Sequence, residues 1–266
     1  MGFLTDIATQ SRTSLARSPL DAEALRAEAA EAPEARNLAW VLRGYAEEDG
    51  IAVIAEVKRA SPSAGPIAPE ADPVLQAMSY DVGGAAAISV LTEPEHFGGS
   101  LDDLRAVRRA VEHPVLRKDF LVHRDQVTEA RAAGADSVLL ITACLPGREL
   151  DAMIAAARDF GMEPLVEAHS DEDLDRAIEA GAEVIGVNSR DLESLEVDLE
   201  AALERVARVP ADRLAVLESG ISSAAHVRAA VEAGASAILV GETLMRADDP
   251  ARMLRELISA GRKERS

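Results

Sequence analysis

The sequence predicts an α/β fold, a closed (β/α)8 TIM barrel with an N-terminal helical extension, and three observations carry that expectation. First, one short pattern recurs four times: Gly84-Ala85 before AAISVL, Gly134-Ala135 before DSVLLI, Gly181-Ala182 before EVIGVN and Gly234-Ala235 before SAILVG, at intervals of 50, 47 and 53 residues. Near-constant spacing of this kind marks one structural unit repeated along a chain. Second, another apolar series lies between those segments: 51–57, then Pro114-Val115-Leu116, Pro164-Leu165-Val166 and Leu214-Ala215-Val216, the last three 50 residues apart. Third, the stretches that separate the apolar runs are rich in Ala, Leu, Glu and Arg, the residues that lose least on entering a helix.

Taken in order, residues 1–50 are rich in Ala, Glu and Arg and precede the first strand. They are expected as one or two helices laid across a barrel end, with a mobile arm as the alternative. The first strand is 51–57, and the two interleaved series bring the strand count to eight. Each Gly-Ala pair closes a helical stretch, where glycine fits the left-handed turn at a helix end, and the continuous apolar run after it suits a strand buried on both faces. Helices are expected over 102–111, 124–133, 148–160, 171–180, 199–207, 223–233 and 251–260, several starting beside Ser or Asp, which cap the free N–H groups of a first turn. Strict alternation of strand and helix implies parallel strands, because each crossover needs a helix to return the chain. Eight such units within 266 residues favour closure into a barrel over an open sheet. Neither a Pro/Gly/Ser-rich linker nor a break in composition interrupts the repeat, so one barrel domain over 1–266, with 1–50 as its extension, is expected.

Composition narrows the function. Hydrophobic residues make up 48% and charged residues 28%, a globular balance, while 47 acidic against 28 basic side chains leave a formal charge of −19. Such a surface repels phosphate backbones and anionic membranes, so nucleic acid and membrane are excluded as expected partners. The apolar runs fall well short of the roughly 20 residues that cross a bilayer, and no basic segment followed by an apolar core opens the chain; a soluble, unprocessed, cytoplasmic protein is expected. Cys144 is the only cysteine, which rules out an intrachain disulfide or thiolate cluster and reads as a buried thiol. His96, His113, His123, His169 and His226 are scattered without metal-site spacing and read as surface or supporting residues, so no metal is expected. No segment identifies a protein partner.

Charge on buried strands is costly unless it is paired or used in chemistry, so the strand ends are where function is sought. In IAVIAEVKRASPSAG, Glu56 and Lys58 are two apart and point to one side of the first strand. Lys118 stands near the end of the third, Glu167 of the fifth, Asn188 and Arg190 of the sixth, and Glu218 and Ser219 of the seventh. All lie at C-terminal strand ends, the face on which barrel active sites are built; a ring of structural ion pairs is the alternative reading. The turns Ser219-Gly220-Ile221 and Val240-Gly241-Glu242 follow strands seven and eight, where barrels bind phosphate with backbone N–H groups and a short helix start. Together they favour a phosphorylated small molecule over two ordinary connections.

The segments AEVKRASPSAG, LRKDF, LVEAH, GVNSRDL, LESGI and LVGETLM, in this order, resemble the indole-3-glycerol phosphate synthase family from about Ile51 to Pro250. The resemblance implies closure of an indole ring in tryptophan biosynthesis, with neither a metal nor an organic cofactor. It further implies Lys118 as the general acid of ring closure and Glu167 as a carboxylate moving protons in dehydration. Lys58 would bind substrate anionic groups and serve as a second acid. Glu56 and Glu218 would hold the lysines charged or bind hydroxyls, and Asn188 would hold a hydroxyl. Ser61 and the backbones near Ser219, Gly220, Gly241 and Glu242 resemble the phosphate environment, the Glu242 carboxylate facing outward. Arg190 would support the substrate carboxylate or brace the site by an ion pair. Phe97, Phe120, Pro62 and Leu195 follow strand ends and would form an apolar slot for an anthranilate ring, with packing beneath a loop as the alternative for each. Lys58, Lys118 and Arg190 are expected to make a local positive basin in an acidic protein, the excess acid lying on the outer helices. A phosphosugar isomerase such as phosphoribosylanthranilate isomerase would share the fold and phosphate site but use a different acid–base set, and a ligand-binding barrel without catalysis is the non-enzyme alternative.

Overall fold

The computed structural model describes residues 2–262. Eight parallel strands close in sequence order: Ala52–Val57, Ala87–Leu91, Val115–Lys118, Ser137–Ile141, Leu165–Ala168, Val184–Asn188, Leu214–Glu218 and Ala237–Val240. The ring is sealed where the first strand meets the eighth, Ala52 opposite Ala237 through Ala55 opposite Val240. Continuous Val, Leu, Ile and Ala runs satisfy a wall covered on both faces; every strand residue is buried except Lys118, the last residue of the third strand.

The seven expected helices all form, at Leu101–Ala110, Arg124–Ala132, Glu149–Arg158, Asp171–Glu179, Leu199–Val206, Ala224–Glu232 and Pro250–Gly261. Ser100, Ser170 and Ser223 each accept a backbone N–H of the first turn that follows. The eighth crossover helix, Pro73–Gly83, had no single apolar face to announce it: Ala77 and Tyr80 are buried while Leu75, Met78 and Val82 are exposed. Two further short helices, Pro94–Phe97 and Glu242–Met245, and a small antiparallel ribbon, Ala60–Ser61 with Gly65–Pro66, decorate the C-terminal rim. Among the described residues no helix is long and apolar enough to cross a membrane.

The extension holds three helices, Phe3–Arg17, Ala22–Glu31 and Leu38–Asp49, one more than expected. The first lies over the C-terminal mouth. Phe3 meets Phe120 edge-on with centroids 6.1 Å apart, Ser11 Oγ donates to the Phe120 carbonyl at 3.2 Å, and Arg12 reaches the Cys144 carbonyl at 3.0 Å. The second runs beside the helix Arg124–Ala132. The third closes the floor with Leu38 and Leu42, both fully buried. The chain therefore wraps from mouth to floor before entering the first strand, rather than trailing as an arm.

Asp136 fastens that wrap. Fully buried, it accepts from the backbone N–H of Arg36 and of Val115, both at 2.9 Å, and stands 2.8 Å from Arg108 Nε. Removing one partner of a buried charge network strands the other, a loss of about 3–5 kcal/mol. Asp136→Ala is therefore expected to lower unfolding free energy in urea by about 3 kcal/mol; an unchanged midpoint and slope would remove Asp136 from this role.

Candidate active site

At the C-terminal mouth lies a cavity of about 540 Å³. Glu56, Lys58, Ser61, Pro62, Phe97, Lys118, Phe120, Glu167, Asn188, Arg190, Leu195, Glu218, Ser219, Gly220, Gly241 and Glu242 all line it. The strand register brings the charged residues together: Glu167 lies opposite Gly186 of the sixth strand, which lies opposite Val216, and Asn188 lies opposite Glu218.

Lys118 sits between two carboxyl groups. Its Nζ donates to Glu167 Oε2 at 3.1 Å and stands 3.4 Å from Glu218 Oε2. Glycine at 186 makes this possible, because a Cβ there would collide with Glu218 Oε1. Burial alone would strip the lysine of its proton, but the charges of Glu167, Glu218 and Glu56 outweigh it and raise the ammonium above the ordinary lysine range. For Glu167 burial pushes upward, yet Lys118 and His169 override it and hold the carboxyl below the usual carboxylate range. Glu218 goes the other way: burial and the charge of Glu167 drive it well above that range against the pull of Lys118. The three groups titrate together: Lys118 favours the charged form of each carboxyl, while burial and their mutual repulsion disfavour it, most of all at Glu218. Neither Glu218 oxygen has a hydrogen bond of good geometry within the protein.

A second pair faces the first. Lys58 Nζ stands 2.8 Å from Glu56 Oε1, while Ser89 Oγ approaches Glu56 Oε2 at 3.5 Å. Gly241 leaves room for it, since a Cβ there would lie 2.5 Å from Glu56 Oε1 and 3.2 Å from Lys58 Nζ. Asn188 Oδ1 accepts the backbone N–H of Arg190, which leaves its amide NH2 for the cavity.

One wall suits an anion. Ser219 and Gly220 both take left-handed backbone, with φ of 64° and 71°, and Gly241 starts the helix Glu242–Met245 without a side-chain cap. First-turn N–H groups are left for a ligand. The Glu242 carboxylate pairs with Arg246 Nε at 2.9 Å, and Thr243 Oγ1 ties the eighth loop to the Ile221 carbonyl of the seventh at 2.8 Å. Ser61 Oγ accepts from Ala64 N–H at the cavity edge. The opposite wall is apolar: Phe97 and Phe120 stand 6.1 Å apart at 41°, beside Leu195. Phe120 also meets Phe3 of the extension edge-on.

Two expectations change. Arg190 makes no ion pair among the described residues; its guanidinium donates to the Leu195 carbonyl at 2.7 Å and braces the loop that way. Nor is the mouth a positive basin, because Lys58 and Lys118 are matched by Glu56 and Glu167. Sequence reasoning also missed Phe3, Leu192 and Arg246 on the lining and His169 behind Glu167. His169 stands two residues from Glu167, the spacing that singled out Lys58 beside Glu56, so a signal for it was present.

The family model described as indole-3-glycerol phosphate synthase matches residues 4–257. An indole-3-glycerol phosphate synthase of Rhodococcus opacus is 50% identical over 242 residues, covering 91% of this chain and 88% of its own. That of Streptomyces griseus is 46% identical over 264 residues, covering 98% and 96%. Among solved structures, 3-hexulose-6-phosphate synthase aligns with a TM-score of 0.63 at 17% identity over 79% of this chain and 99% of its own, a likeness of fold alone.

The upward shift of the Glu218 carboxyl gives a test by stability. A group whose folded pKa exceeds its unfolded one stabilises fully below the unfolded value and loses that contribution as pH rises toward the folded value. Glu218 is such a group, with an ordinary value of 4.5. Glu218→Gln, neutral at every pH, is expected to gain stability relative to wild type as pH rises from about 5 to about 8, by up to about 1.4 kcal/mol per pH unit. A difference between the two proteins that does not change with pH would show Glu218 ionised.

Proposed function

The chain belongs to the indole-3-glycerol phosphate synthase family, and from that premise we propose how its residues close an indole ring. The reaction converts 1-(2-carboxyphenylamino)-1-deoxyribulose 5-phosphate to indole-3-glycerol phosphate, carbon dioxide and water, in tryptophan biosynthesis. The aromatic carbon bearing the carboxylate attacks the substrate ketone, and the carbonyl electrons move to oxygen. The Lys118 ammonium donates a proton there and leaves a hydroxyl. The carboxylate departs as carbon dioxide, its bonding electrons restoring the benzene ring. The hydroxyl then leaves as water with a second proton, while the methylene beside nitrogen gives one up.

The observation that carries this reading is the single ammonium held between Glu167 and Glu218 at 3.1 and 3.4 Å. It also supplies a coupling. Glu167 is a weak base while Lys118 is charged; once Lys118 has given up its proton, that restraint vanishes and the carboxylate becomes basic enough to accept the methylene proton. Ring closure thereby prepares dehydration. Lys58, 2.8 Å from Glu56, binds the substrate's anionic groups and gives the second proton to the leaving hydroxyl. Glu56 and Glu218 orient the lysines, and the Asn188 amide holds a ribulose hydroxyl. Backbone donors around Ser219, Gly220, Gly241 and Glu242, with Ser61, take the phosphate, and the Phe97–Phe120 wall takes the aryl ring. Arg190 lies where the carboxylate end would sit. A soluble phosphorylated substrate supports a cytoplasmic site of action, within one barrel domain that carries residues 1–50 as its extension.

Two variants check the assignment by the rise of indole fluorescence on adding substrate. Lys118→Met is expected to lose at least about 10²–10⁴-fold in turnover while a non-reacting substrate analogue still binds, because the acid is gone and the phosphate wall remains; turnover near wild type would remove Lys118 from the acid role. Lys58→Ala is expected to weaken both affinity and rate, and an effect on neither would place Lys58 outside the pocket.

A further inference from the structure

Lys118 is the last residue of the third strand, and the sheet pairs it on one side only. Toward the second strand, Leu91 lies opposite Lys118, and the Lys118 carbonyl accepts the Thr92 N–H at 3.1 Å. Pairing with the fourth strand ends one residue earlier, where Arg117 lies opposite Val138. A strand end paired on one side is a place where backbone opens locally. The proposed reaction, in contrast, needs the ammonium at a fixed position.

A buried cluster behind the strand supplies what the sheet does not. Side chains alternate along a strand, so Arg117 points to the helix layer while Lys118 points into the mouth. The Arg117 side chain is buried and donates in four directions: Nε to Thr92 Oγ1 at 3.2 Å, Nη1 to the Gln126 carbonyl at 3.1 Å and to Glu129 Oε2 at 2.8 Å, and Nη2 to Asp119 Oδ2 at 3.0 Å. Thr92 Oγ1 donates in turn to Asp119 Oδ2 at 2.6 Å, and Asp119 Oδ1 accepts the Phe120 N–H at 2.8 Å. Arg117, Thr92 and Asp119 therefore close a triangle around the backbone of Lys118, tied to its carbonyl through the Thr92 N–H. Asp119 reaches the cavity lining, yet both its oxygens are taken up inside the cluster. The reaction assigned above uses none of the three.

Stability alone does not call for a guanidinium here, since well-packed apolar side chains hold a protein interior as well as a buried ion pair does. What the planar fork of an arginine supplies is direction, because its donors are fixed relative to one another. We propose that Arg117 is a positioning residue for the acid: with Thr92 and Asp119 it fixes the backbone from which Lys118 extends, so that the ammonium stands where the ketone oxygen of the substrate is placed. The triangle touches no substrate atom and acts through Lys118. The inference rests on Lys118 being the acid, as assigned above.

Thr92→Val keeps the shape of the side chain and removes the shared hydroxyl, and Thr92→Ser puts the hydroxyl back. In the full chain, followed by the rise of indole fluorescence, Thr92→Val is expected to lower kcat by about 10–100-fold at unchanged KM, as a misplaced reacting group does, and Thr92→Ser to recover most of the loss. Arg117→Lys keeps a cation but loses the fork, and is expected to slow turnover to a similar degree. The deciding arm adds Thr92→Val to Lys118→Met: the residual turnover should change by less than about twofold, because no acid is left to place. A loss that multiplies in full in the Lys118→Met background would show a merely structural cluster and overturn the proposal. Wild-type kcat in either Thr92→Val or Arg117→Lys would overturn it as well, as would a Thr92→Ser as slow as Thr92→Val. Should Arg117→Lys fail to fold by circular dichroism, the two Thr92 variants and the double variant decide. Wild-type turnover in Lys118→Met alone would instead remove the acid assignment, which keeps the two failures apart.

Discussion

The structure depends on keeping an ammonium charged where water is scarce. Transferring an ion from water into a protein interior costs several kcal/mol even after relaxation, so a lone lysine at the end of a fully buried strand would shed its proton. Lys118 does not, because Glu167 and Glu218 from the fifth and seventh strands meet it. Two full negative charges so close repel, and the site divides the strain unevenly: Glu218 is pushed above the usual carboxylate range while Glu167 is held below it. The result is one ammonium and two carboxyl groups of unequal basicity in contact, a set able to give and receive protons. Parallel register holds the three in line, and Gly186 supplies the space between them.

The same constraint explains how an acidic protein accepts an anionic substrate. With a formal charge of −19, long-range attraction of a phosphate is not available. The mouth instead offers cations already matched by carboxylates and a wall of backbone donors whose orientation is fixed by Ser219, Gly220 and the start of Glu242–Met245. Directed N–H groups bind phosphate without net positive charge. The helix Phe3–Arg17 adds Phe3 to the aromatic wall and ties the mouth to the rest of the extension, so residues that contribute little to the chemical motifs still shape the cavity.

Much of this was legible because the strands repeat. A buried barrel wall tolerates so few ionisable residues that Glu56, Lys58, Lys118, Glu167 and Glu218 stand out in sequence, and the fold then forces their ends to one rim. Harder to read was anything decided by packing between distant segments. Phe3 reaches Phe120 only because the extension wraps back over the mouth, and Arg246 joins the lining from the end of the short helix Glu242–Met245. Helix Pro73–Gly83 hid because its outer face is apolar. The upward shift of Glu218 and the space left by Gly186 depend on distances that no spacing of residues encodes. His169 lies between these cases, visible by its position beside Glu167 yet meaningful only once the burial of that carboxylate is known.

The claim on which the account stands is the charge state of one side chain, and nitrogen-15 NMR of lysine-labelled protein measures it directly. Assigned by its loss in a variant lacking that lysine, the Lys118 Nζ resonance is predicted to keep an ammonium shift through and beyond pH 10.5, the ordinary lysine value. A resonance that becomes a neutral amine at or below that value would show that the two carboxyl groups do not hold the proton, and the assigned chemistry would lose its acid.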